Sequence, residues 1–157
     1  MLKNAHLKAA VALPHYADRV ILAADTIVVF EDRIFGKPRD LVEAASMLMI
    51  LSGQRHQVLT GVVIRHGGIL REFVETSHVF TRLLSPPKIA TYLDRIGPLD
   101  KAGAYAAQDD LGEFVHHIEG STTNVIGLPM EFVTRVLRED FALRPTQPAA
   151  GSRHRSR

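Results

Sequence analysis

An aspartate stands in the middle of the most apolar run of the chain. Residues 20–30, VILAADTIVVF, are β-branched or apolar on either side of Asp25 and Thr26. Such a run reads as a strand buried on both faces. An anionic side chain there costs several kcal/mol unless it is paired, protonated or bound to a metal. Asp25 therefore asks for a reason, and the rest of the chain has to supply it.

Around this strand the pattern alternates between helix and strand. Residues 3–12 place apolar groups near helical spacing until Pro14. Glu31 to Arg33 read as a turn, with Ile34 and Phe35 beginning a short return strand ahead of Gly36-Lys37-Pro38. Asp40 and Glu43 resemble a capping box opening a helix that Gly53 stops. Residues 56–65 and 69–83 read as antiparallel strands joined across Gly67-Gly68. Ser85-Pro86 opens another helix and Gly97-Pro98 closes it. A glycine-bearing loop, a short strand over 114–118 and a helix over 129–139 complete the body. This order predicts an α/β fold, a mixed sheet with flanking helices, in one domain spanning residues 1–144. Residues 145–157 show no periodicity and are expected to form a disordered basic tail.

Charge and composition narrow the function. Of the net charge of +2, the tail's Arg153, Arg155 and Arg157 contribute three units, so residues 1–144 carry −1. A specific nucleic-acid partner is not expected from so neutral a body. Cysteine is absent, which excludes disulfides, thiolate metal sites and thiol nucleophiles. No run reaches the length of a membrane span and the opening residues do not read as a signal peptide, so the expectation is a soluble, cytoplasmic protein without membrane contact. The alternation of a strand turns His116 and His117 to opposite faces, against a shared metal. No P-loop, zincin or serine-hydrolase spacing occurs.

Four polar islands remain: Asp25-Thr26, Gly36-Lys37-Pro38, Asp100-Lys101-Ala102-Gly103 and Tyr105 to Gln108. A carboxylate joined by two lysines held among Gly and Pro suits an enzyme handling phosphate anions, with carboxylate for metal or water and ammonium for phosphate charge. Taken singly, Asp25 is as well explained by a structural role, and a lysine in a turn by simple solvation.

Together with Leu51-Ser52-Gly53, His56, Thr60-Gly61-Val62, Ile118-Glu119-Gly120-Ser121 and residues 124–129 (NVIGLP), the islands resemble the Maf family of nucleoside triphosphate pyrophosphatases, or septum formation proteins, in order and spacing from about Asn4 to Leu137. The resemblance implies a Maf/ITPase-like fold. It also implies cleavage of a nucleoside triphosphate between its α- and β-phosphates with a divalent cation, Mg²⁺ or Mn²⁺. By the same resemblance Asp25 matches the proton acceptor, which activates water or helps hold the metal. Lys37 and Lys101 match lysines facing the phosphates, and Lys8 matches a lysine ahead of the first motif. Thr26 and Gln108 match positions that set base specificity, in the combination of the branch acting on dTTP and UTP. A local reading is also open, in which Thr26 serves strand propensity and Gln108 caps its loop.

The chain departs from the family pattern in places. It carries no Ser-x-Ser-Pro-Arg-Arg loop and no following acidic segment, so the resemblance implies an N-terminally truncated domain. A missing strand would leave a neighbour's main-chain groups unpaired. Ala106-Ala107 stand where Gly-Ile is usual, Asp109 follows Gln108, and Ile96-Gly97-Pro98 precedes the second lysine motif. The alternative to an active pyrophosphatase is a catalytically impaired nucleotide-binding or interaction protein. Family members also imply a homodimer.

Overall fold

The computed structural model describes residues 1–108, 110 and 112–143; Asp109 and the expected tail at 145–157 lie outside them. The element order is α1 (Leu2–Ala12), β1 (Ile21–Phe30), β2 (Arg33–Phe35), α2 (Leu41–Leu51), β3 (Arg55–His66), β4 (Ile69–Thr81), α3 (Pro86–Ile96), β5 (Val115–Glu119), α4 (Thr122–Ile126) and α5 (Met130–Phe141), with two 3₁₀ turns at Pro98–Asp100 and Ala102–Ala104. No described helix is long and apolar enough to cross a membrane.

The helix boundaries follow local chemistry. Asp40 caps α2 by accepting the Glu43 N–H at 2.8 Å. Glu43 does not return the bond to Asp40, as a capping box would; its carboxylate takes the Arg39 N–H at 2.7 Å and the Arg39 guanidinium at 2.9 Å. Gly97 ends α3 in the left-handed region, with φ of 59°, where a residue with a Cβ is strained. His66 pairs with Ile69 across the two-residue Gly67-Gly68 turn, the tight hairpin that dipeptide predicts.

The strands lie in the order β2-β1-β3-β4-β5. Every pairing is antiparallel, so within the α/β layering the expected mixed sheet is, over the described residues, an antiparallel one. Direction of pairing is not written in the composition of a strand, which explains the difference. β2 pairs with Val28, Val29 and Phe30 alone. Among the described residues, Ile21 to Ile27 are thus paired on the β3 side only.

Alternation along the strands divides the apolar groups between two faces. Ile21, Ala23 and Val63 meet Ala5 and Ala9 of α1 on one face. On the other face two separate clusters form. Val62 and Ile64 pack with Val133 and Val136 of α5. Val28, Val58 and Val79 pack with α2, α3 and the buried rings of Tyr92, Tyr105 and Phe114. In register, Thr26 and Thr60 stand opposite each other, between Ala24 and Val62 of the first cluster and Val28 and Val58 of the second. A break between two apolar clusters on one face of a sheet is where a polar cleft can open.

Candidate active site

That cleft exists. It has a volume of about 420 Å³, and Lys8, Asp25, Thr26, Lys37, Lys101 and Gln108 all line it. The six residues predicted from sequence come from five segments of the chain, and the fold brings every one of them to the same opening.

Asp25 and Thr26 are adjacent on β1, so their side chains leave opposite faces of the strand. Asp25 points to the α1 side. One carboxylate oxygen accepts from Lys8 Nζ at 2.7 Å and the other from Asn4 Nδ2 at 3.0 Å. Asn4 and Lys8 are four residues apart, hence neighbours on one helical face. Lys8 also donates to the Ala24 carbonyl at 2.9 Å, on the stretch of β1 that β2 leaves unpaired. Partial burial pulls the Asp25 pKa upward, but the bonds from Lys8 and Asn4 outweigh it and hold the carboxyl below its ordinary value. The charge in the apolar strand is therefore kept, and kept by pairing.

The approach of α1 depends on Gly61, which stands opposite Asp25 on β3. A Cβ at Gly61 would lie 2.8 Å from the Leu2 main-chain nitrogen, closer than such atoms approach. Bare backbone at this point lets the helix descend far enough for Asn4 to reach Asp25.

The two lysine loops are fastened to each other. Gly103 donates its N–H to the Gly36 carbonyl at 3.0 Å, joining the turn that carries Lys37 to the turn that carries Lys101. Gly103 has φ of 71°, and a Cβ there would stand 2.9 Å from Val28 Cγ2. Both its conformation and its contact with β1 thus require glycine. Lys37 is exposed beside Pro38. Lys101 Nζ donates to Asp100 at 2.6 Å and to the Gly97 carbonyl at 3.2 Å. The Lys101 bond, with Lys37 nearby, holds the Asp100 carboxyl below its usual range.

Gln108 is exposed at the cleft margin. Its loop is anchored from beneath by Asp110, which is buried and accepts from the Tyr92 hydroxyl at 2.9 Å, Phe114 N–H at 3.1 Å and Val115 N–H at 2.8 Å. His56, at the start of β3, is held in the core: its Nε2 lies 2.9 Å from the hydroxyl of Tyr105, which also lines the cleft. Burial pushes the His56 pKa down to about 4, so the ring is neutral.

Asn4, Thr60 and Asp110 are contributors to which motif reading assigned no role. Asn4 was accessible through its four-residue spacing from Lys8. Thr60 and Asp110 act through partners 34 and 18 positions away, which no local pattern reveals.

The donor set bears on a metal. Among the described residues no group of three His, Asp or Glu side chains forms a cation site. Asp25 is nevertheless an ionised carboxylate at the cleft, and Asp100 lines the same opening. This suits a hard cation such as Mg²⁺, which binds through one or two carboxylates and completes its shell with substrate phosphates and water.

A family model described as "Maf-like protein" matches residues 1–140. The chain belongs to the Maf family. Among its relatives, a protein of Geobacillus sp. named dTTP/UTP pyrophosphatase is 44% identical over 135 residues, which is 86% of this chain and 71% of that protein. A protein of Halalkalibacterium halodurans with the same name is 46% identical over 134 residues, 85% of this chain and 70% of the relative. One from Xylella fastidiosa, named nucleoside triphosphate pyrophosphatase, is 45% identical over 134 residues, 83% and 71% of the two chains. The Maf match extends from α1 into α5 and so takes in every residue of the cleft described above.

Proposed function

We propose that this Maf chain hydrolyses a nucleoside triphosphate between the α- and β-phosphates, releasing pyrophosphate and a nucleoside monophosphate, with dTTP and UTP as substrates. The observation that carries the reading is the meeting of an ionised Asp25 with Lys8, Lys37 and Lys101 in one cleft. The names of its relatives support the same chemistry.

The residues divide the work by charge. Lys37 and Lys101, on turns fastened together, attract the polyphosphate and offset the charge that grows on the departing pyrophosphate. Their main-chain tie fixes the two turns relative to each other, so that only the lysine side chains remain to be ordered when substrate arrives. Asp25 orients the attacking water. Held low in pKa by Lys8, it remains a carboxylate through neutral pH, at the expense of basicity. Asp25 is also the residue that would hold a Mg²⁺ or Mn²⁺ ion, with Asp100 nearby; when bound, the ion supplies further positive charge to the phosphates. Thr26 and Gln108 stand on the other face of β1 and at the margin, where they meet the base. The proposal includes a cytoplasmic setting, where nucleoside triphosphates are held, and a homodimer.

The test is pyrophosphate release from dTTP and UTP, with CTP and 7-methyl-GTP for comparison, in Mg²⁺ or Mn²⁺. Turnover of the first two is expected, with Asp25→Asn lowering kcat by at least about a hundredfold. Tight binding without turnover in the wild type, or an Asp25→Asn variant of full activity, overturns the reading.

A further inference from the structure

We propose that Thr60, buried beneath the cleft, is a positioning residue that commits the single hydroxyl proton of Thr26 inward. The cleft then meets Thr26 as a hydrogen-bond acceptor and selects a base whose edge carries a ring N–H. The proposal rests on the nucleotide reading above and adds to it a basis for choosing among bases.

Thr26 and Thr60 are directly opposed across β1 and β3, and their hydroxyl oxygens lie 2.8 Å apart. Each hydroxyl has one proton to donate and two lone pairs to accept with. Thr60 is fully buried, so its proton must find a protein partner. Two are in reach: the Asn124 carbonyl at 3.3 Å and the Thr26 hydroxyl. If Thr60 donates to Asn124, the Thr26 proton fills the short bond to Thr60. If Thr60 donates to Thr26, the Thr26 proton turns to the Gly127 carbonyl at 3.4 Å. The first arrangement spends the Thr26 proton in the 2.8 Å bond inside the protein and leaves only lone pairs for the cleft, whereas the second leaves it a 3.4 Å contact from which it can turn away; the proposal assigns the first.

A lone pair facing a base asks for a donor. Uracil and thymine offer N3–H. Cytosine presents a bare acceptor at N3 and has its donor displaced to the exocyclic amine, so two acceptors would face each other. Loss of one such neutral bond corresponds to a preference on the order of tenfold. Replacing Thr60 with valine keeps the volume but removes the short acceptor. Thr26 is then left with the long bond to Gly127 and is free to turn its proton toward the cleft, where it can serve cytosine as well as uracil.

The experiment measures binding separately from turnover. Calorimetry with the α,β-methylene analogues of UTP and CTP, which resist cleavage at the bond in question, gives affinities for wild type, Thr60→Val and Thr60→Ser, with melting temperatures recorded alongside. The expectation is a uridine preference of roughly tenfold in the wild type, falling to threefold or less in Thr60→Val and returning in Thr60→Ser, whose hydroxyl is retained. An unchanged preference in Thr60→Val overturns the proposal. So does an equal weakening of both analogues with a lowered melting temperature, the mark of a purely structural residue, and so does a wild type that binds the two alike. Pyrophosphate release from UTP is followed in parallel. Turnover with an unmoved preference sinks this inference alone, a moved preference without turnover sinks the pyrophosphatase reading alone, and absence of binding sinks both.

Discussion

At the scale of single residues the governing feature is the pair of bonds on Asp25. Without Lys8 and Asn4, partial burial, the largest single influence, would be opposed by the N-terminal ammonium alone and would favour the neutral acid. Lys8→Met is therefore expected to raise the Asp25 pKa. Carbon-detected NMR titration of the carboxyl should show its midpoint moving to higher pH, and the acid limb of kcat/KM should follow it upward. A midpoint that stays in place would mean that Lys8 does not hold the charge. The sign extends to stability. A carboxyl with a folded pKa below its unfolded one stabilises the fold above the unfolded value, and that stabilisation is lost as pH falls through the folded value. Much of this was legible in the sequence, because an acid within VILAADTIVVF contradicts its surroundings whatever the fold. Its partners were less so. Lys8 emerged from a motif, whereas the role of Asn4 needs the position of α1 over the sheet.

At the scale of elements, the packing of α1 depends on one absent side chain. Gly61→Ala places a methyl against the Leu2 backbone, which cannot turn aside as a side-chain end can. The expected cost is about 1–3 kcal/mol from displacement of the helix. Because that displacement breaks the Asn4 bond to Asp25, combining Gly61→Ala with Asn4→Ala should cost less than the sum of the two. Urea melts of the four proteins in the cycle measure this, and strict additivity would show that the helix does not move. The elements themselves were read with uneven success, for physical reasons. α2 and α3 carry their boundaries locally, in Asp40, in Pro86 and in Gly97. The β3–β4 hairpin carries its turn in Gly67-Gly68. α4 spans only Thr122–Ile126, too short for a periodicity to show. The antiparallel course of the sheet depends on how β1 and β3 meet across an intervening helix, and nothing inside either strand records it.

At the scale of the whole molecule, a buried neutral histidine couples the core to pH. His56 is buried against Tyr105, and its pKa falls from 6.5 to about 4 on folding. Between those values the unfolded chain binds a proton that the folded chain refuses, so stability rises with pH across that window. The loss on acidifying through it amounts to about 3 kcal/mol for this one group. Chemical denaturation at pH 4.5 and 6.5 should show the difference, and His56→Gln should flatten it. A slope that survives the substitution would place the acid sensitivity elsewhere.

The neighbours Asp25 and Thr26 leave β1 on opposite sides, and this has an evolutionary consequence. On the proposed reading the strand separates Asp25 and its helix-borne partners on one surface from Thr26, which meets the base, on the other. A substitution at position 26 can thus alter which molecule is admitted while the acid next to it keeps its helix-borne partners. Descendants of such a chain are free to diversify in diet without reinventing the reaction.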